Sequence, residues 1–212
     1  MTRQPPTPNC LGMKRYLIWL PLVLAIFGCA TPARRLDATV VEQLHEGTAT
    51  QSDVERILGR PLGLETGANG KTVAVYEFAR LNEGFAGPRE FKARQFSVLY
   101  DSNFVMERKL LSASATPYRA GWKNRLGRPM NRAEIVRTMR PQIPRTELIE
   151  KFGPPSIETL TIDGGTVAGW VALEQESAYW GGIRQQILEV VFDESGLTRT
   201  YKIVGTLDRP TK

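Results

Sequence analysis

Two periodicities alternate along the chain, and the alternation occurs twice. Val54, Ile57 and Leu58 fall at i, i+3 and i+4, which gathers them on one face of a helix. Thr50 precedes them as an N-cap whose hydroxyl accepts an orphan N–H of the first turn. Asp53 lies in that turn, where the helix dipole favours an anion. Gly59 suits the left-handed position after the helix, and Pro61 stops it. At an offset of 94 residues the same punctuation returns: Leu148 stands for Val54, Phe152 for Leu58, Gly153 for Gly59 and Pro155 for Pro61. Pro144 occupies the start of this second helix, where its missing N–H costs nothing. A further helical pattern precedes each copy, Ala38 to Glu46 with Val40, Val41 and Leu44, and Asn131 to Met139 with Ile135, Val136 and Met139.

Downstream of each copy the period drops to two. Val73 to Phe78, Phe91 to Tyr100 and Val105 to Leu111 read as strands in the first copy. The second copy offers Val167 to Glu176, Gln186 to Phe192 and Thr198 to Val204, with Ile157 to Ile162 as a short edge strand. Phe96, Val98 and Tyr100 match Leu188, Val190 and Phe192 at an offset of 92. The hairpin turns Asp101-Ser102-Asn103 and Asp193-Glu194-Ser195-Gly196 match likewise, with residues that bond their own backbone in turns. The pattern predicts an α+β protein with a first module over 37–112, a linker over 113–130 and a second module over 131–206.

The N-terminus reads as an address. Met13-Lys14-Arg15 is followed by an uncharged stretch from Tyr16 to Phe27, the length of a signal-peptide core and too short for a bilayer span of roughly 20 residues. It ends in Ile26-Phe27-Gly28-Cys29, which resembles a bacterial lipobox. That resemblance implies cleavage between Gly28 and Cys29 and lipidation of Cys29, with palmitate among the acyl chains. Residues 1–28 are then a signal peptide, with Met13 a second candidate start, and 29–36 a tether. More than one acyl chain anchors stably, at about 0.8 kcal/mol per buried CH₂. Ala30 follows in place of an Asp that would favour the inner membrane, so the expectation is the periplasmic face of the outer membrane.

Charge and composition narrow the chemistry. The discarded segment holds Arg3, Lys14 and Arg15 and no acid, so losing these three cations lowers the formal charge from +6 to +3. No clustered basic stripe of the kind nucleic-acid binders carry is present. One histidine and two cysteines are too few for a multi-ligand Cys/His zinc site, and neither a metal nor a cofactor is expected. His45 reads as a helix-end residue. Glu174 and Glu176, about 7 Å apart on one strand face, are the nearest approach to an acid/base pair. Adjacent acids on one strand are usually a solvated sheet face, and glycosidase carboxylates come from opposed positions.

The run Thr50, Val54, Leu58, Gly59, Pro61, followed by three antiparallel strands with an Asp-rich turn, resembles the SmpA/OmlA (BamE-like) family of outer-membrane lipoproteins. Two departures stand beside it: Thr48 replaces the family's usual Gly two places before Thr50, and Pro144 replaces the Thr in the second copy. The resemblance implies two tandem ααβββ modules, each with two helices packed on an antiparallel three-stranded sheet, as in the tandem beta-lactamase inhibitory proteins. It also implies a non-enzymatic, protein-binding role in outer-membrane protein assembly or envelope integrity, with the barrel-assembly machinery as a candidate partner. A binder or inhibitor of a periplasmic enzyme is the second reading and an envelope hydrolase the third. Alternation that turns Val171 and Leu173 inward sets Trp170 outward with Glu174, near Tyr179 and Trp180. Exposed Trp and Tyr often mark protein contacts, which makes these three the expected partner-binding aromatics.

Overall fold

Backbone pairing, more than helix packing, organises this chain. The computed structural model describes residues 38–82, 90–119, 124–175 and 183–205. The first copy contains α1 (Ala38–Glu42), α2 (Gln51–Leu58), β1 (Gly63–Thr66), β2 (Thr72–Asn82), β3 (Glu90–Tyr100) and β4 (Met106–Arg119). A short β5 (Asn124–Leu126) follows. The second copy contains α3 (Arg132–Thr138), α4 (Arg145–Phe152), β6 (Ile157–Leu160), β7 (Thr166–Gln175), β8 (Ile183–Phe192) and β9 (Thr198–Gly205).

The described residues are mostly β, in two antiparallel four-stranded sheets, which corrects the expected ααβββ modules with three-stranded sheets. The extra strand is β1 in one sheet and β6 in the other, each following the Gly-x-Pro stop and pairing with the next strand. Segment 113–130, read from the sequence as a linker, instead holds the second half of β4 and all of β5. Because β5 pairs with β4 on one side and β7 on the other, a single path of paired strands runs β1-β2-β3-β4-β5-β7-β8-β9.

The repetition extends to small irregularities. Helices α2 and α4 begin 94 residues apart, and so do β1 and β6. Both copies slip register next to the same hairpin, at Leu99/Tyr100 and at Val191/Phe192. In each hairpin an aspartate Oδ1 accepts two backbone N–H groups: Asp101 from Asn103 and Val105, Asp193 from Ser195 and Leu197. That turn then holds the helix start, with Gln51 N–H donating to Phe104 O and Arg145 N–H to Gly196 O.

Each copy has its own core. Val54 and Leu58 join Phe96, Val98, Tyr100 and Met106 in the first, and Ile135 and Leu148 join Trp170, Leu188, Val190 and Phe192 in the second. A third cluster ties the copies together, with Leu160 of β6 packed against Val73 and Leu99. Two polar contacts reinforce it: Leu160 N–H donates to Ser97 Oγ at 3.0 Å, and Ser114 Oγ to Ser156 O at 2.6 Å. Helix α1 is shorter than its pattern, ending at Glu42, and Lys109 Nζ donates to the carbonyls of Val41 and Leu44 just there, at 3.1 and 2.5 Å.

Candidate functional site

The helix-stop residues do structural work. Thr50 caps α2 in a reciprocal box: its Oγ1 accepts from Asp53 N–H at 3.3 Å, and Asp53 Oδ2 accepts from Thr50 N–H at 3.0 Å. The Thr50 hydroxyl also donates to Asp53 Oδ2 at 2.7 Å, and this bond, with that from the Thr50 N–H, holds the Asp53 carboxyl below its ordinary value. Pro144 supplies no side-chain cap to α4. Val54 and Leu148 are fully buried, as is most of Leu58, while Phe152 lies half-buried at the margin of the second core, against the indole of Trp170. Gly59 and Gly153 both have positive φ, 87° and 82°, but their ψ of −164° and 179° is not left-handed helical. They occupy the extended positive-φ region that is essentially restricted to glycine.

Trp170 corrects the expectation that it faces solvent. It is 4% exposed and sits in the second core, stacked edge-on to Phe152 with ring centroids 6.5 Å apart. Its Nε1 donates to Gly153 O at 2.8 Å. Alternation does place Trp170 with Ala168, Ala172 and Glu174, but that face is the one beneath the helices, and Ala168 and Ala172 are wholly buried beside it. Val167 and Leu173 on the other face are buried too and Val171 half-buried, so hydrophobicity does not mark either face of β7 as the solvated one. Glu174 is buried and paired with Arg184 at 3.1 Å. Tyr179, Trp180 and Glu176 lie outside the described residues, as do Gly28, Cys29 and the whole N-terminal address. His45 is exposed just beyond α1.

What the structure does bring together is a cleft of about 450 Å³ between the copies. One wall is β4 from Ala113 to Thr116, and the other runs from Gly127 to Asn131. Phe152 and Trp170 form its apolar floor, with Pro154 and Pro155 beside them. Its rim carries Arg128 and Lys151, both exposed and neither in an ion pair among the described residues, against the single carboxylate of Glu134. Gly127 is required there, with φ +73° and room for a Cβ blocked by Val171 O at 2.2 Å. A volume in this range and a mixed apolar-polar lining are the ordinary attributes of a binding cleft.

Sequence reasoning passed over this cleft because its wall looked like a linker. The available signal was the alternation Leu111, Ala113, Ala115, Pro117, a strand whose proline is tolerated only on an edge. A second unforeseen feature lies within the first sheet. Glu77 and Gln95 are directly opposite across β2 and β3. Gln95 is 1% exposed with neither amide atom hydrogen-bonded, and Glu77 Oε2 is likewise buried and unbonded. Burial pushes the Glu77 carboxyl up to about 7.

Among the described residues no helix is long and apolar enough to cross a membrane, and no group of three His, Cys, Asp or Glu side chains is placed to hold a metal. No protein-family model matches the chain, and no match was found among curated proteins or among solved structures.

Proposed function

We propose that this is a lipid-anchored envelope protein, held by Cys29 at the periplasmic face of the outer membrane, that binds another envelope protein through the cleft between its copies. The cleft carries the binding half of this reading, since a partly apolar recess with two exposed cations on its rim is recognition chemistry. The Ile26-Phe27-Gly28-Cys29 sequence supports the anchor. A non-enzymatic role is supported by the state of the best acid/base candidate: Glu174 is buried and committed to Arg184. Outer-membrane protein assembly is the role that the SmpA/OmlA resemblance favours. The joining of two copies along one strand path favours, as a second reading, a binder of a soluble periplasmic enzyme.

Affinity capture from crosslinked envelopes tests the reading. Recovery of the barrel-assembly machinery agrees with assembly, a single soluble enzyme with the second reading, and no specific protein with neither. Cys29→Ser should release the protein from membranes and abolish palmitate incorporation, and a variant still labelled and sedimenting with outer membrane would refute the anchor.

A further inference from the structure

Among the described residues, strand β4 has an unpaired edge in the cleft. Lys109 N–H points away from β3, because it donates to Glu46 Oε1 at 2.8 Å. In an antiparallel ladder the direction of the main-chain groups alternates residue by residue, so Leu111, Ala113 and Ala115 also direct N–H and C=O away from β3. Pro117, which has no N–H to give, falls in the same set. Pairing with β5 begins only at Tyr118. Between Lys109 and Tyr118 the outward groups therefore meet no backbone partner among the described residues, and Ala113 and Ala115 are exposed. Sheets ordinarily blunt such an edge with charge or a cover, and here small side chains leave it approachable.

We infer that β4 takes up an extended, acidic segment of a partner protein as an added strand at Ala113–Thr116, with the segment's carboxylate meeting Arg128 and Lys151. An unpaired run of alternating donors and acceptors is complementary to another extended backbone, which is the basis of strand addition. The two exposed cations of the rim, set against the one carboxylate of Glu134, select for acid on that segment. This inference rests on the protein-binding reading above and specifies the partner's chemistry.

The test reads amide hydrogen exchange and co-purification with the full-length protein. In purified protein the amides of Ala113 and Ala115 should exchange rapidly, while those of Ser112 and Ser114, which face β3, should be protected. In isolated native envelopes Ala113 and Ala115 should become protected. Ala115→Pro removes one outward donor and no β3 bond, and should reduce the co-purified partner up to about tenfold, the effect of one lost hydrogen bond. Ala115→Val, with the donor intact, should retain it. Arg128→Glu together with Lys151→Glu should lower it similarly without touching the strand.

A partner that co-purifies while Ala113 and Ala115 stay unprotected overturns strand addition and leaves the protein-binding reading standing. Protection that appears in purified protein and grows with its concentration overturns it in favour of a second copy of this chain. Charge-reversed protein that keeps its partner overturns the acidic assignment. Should Ala115→Pro fail to fold, the exchange comparison on unaltered protein decides alone.

Discussion

Replacing Gly59 or Gly153 separates two kinds of helix stop. Both glycines have positive φ, but with ψ at −164° and 179° they sit far from the left-handed helical well near ψ +47°. A Cβ at either position meets no atom within 4 Å, so alanine there is opposed by the local backbone and by nothing else. Holding a non-glycine residue in this region costs about 1–3 kcal/mol. The loss of unfolded-chain freedom on Gly→Ala returns about 0.4–1 kcal/mol. Gly59→Ala should therefore destabilise by about 1 kcal/mol, within a range that reaches about 2.6 kcal/mol. Gly153→Ala should cost up to about 1 kcal/mol more, because Gly153 O accepts the Trp170 indole N–H and any shift of that peptide loosens the bond. Urea denaturation followed by circular dichroism and tryptophan fluorescence measures both, read as a change in midpoint at constant slope. Asparagine is the discriminating substitution. It tolerates the left-handed helical well but gains nothing in the extended positive-φ region. Asn at either site should be as damaging as Ala, and an Asn variant as stable as the parent would refute the conformational assignment.

Three further outcomes follow from the packing and the charges. Trp170→Ala should lower stability by about 3–5 kcal/mol, since it empties a core position and strands the Gly153 carbonyl, and an unchanged melting temperature would return the indole to the surface. Thr50→Ala should cost about 1 kcal/mol through the lost capping box, whereas Pro144→Ala should show no such loss because α4 has no side-chain cap. Glu77 is raised from 4.5 to about 7, so the folded state favours its neutral form. That contribution is full below pH 4.5 and is lost as pH rises through about 7; the denaturation midpoint should fall across this window, and Glu77→Gln should flatten the fall. A slope unchanged in Glu77→Gln would assign the pH dependence to other groups, among them Glu189, whose carboxyl burial also raises.

The elements that were legible in the sequence are those made by buried side chains. Phe96, Val98 and Tyr100, like Leu188, Val190 and Phe192, are fully buried, and their alternation marked β3 and β8. Thr50 and Gly59 bracketed α2 because a cap and a positive φ each demand a narrow set of residue types. Strand β1 left no such trace. Its Leu64 and the preceding Leu62 are 53% and 58% exposed, and it is held by backbone pairing to β2, which any sequence can make. The second half of β4 left only the weak alternation of Leu111, Ala113, Ala115 and Pro117, in which both alanines are exposed, and with it the wall of the cleft was passed over. The β4 wall of the candidate site was thus illegible because it is built from main-chain groups.

Trp170 shows a different limit. Period two sorts the residues of a strand into two sets, but it does not say which set faces the helices. Assigning the sides by hydrophobicity fails on β7 because both sets are covered: Val167 and Leu173 on one side, Ala168, Trp170 and Ala172 on the other. The deciding feature is size. A helix can approach a sheet closely only over small residues, and Ala168 and Ala172 flank the indole so that α4 comes near enough for the Gly153 carbonyl to accept its N–H at 2.8 Å. A tryptophan two residues from alanine on both sides, with a glycine-ended helix upstream, is in this fold a residue whose polar end is satisfied by that helix terminus. The same contact ties the end of α4 to Trp170, which with Phe152 lines the floor of the cleft.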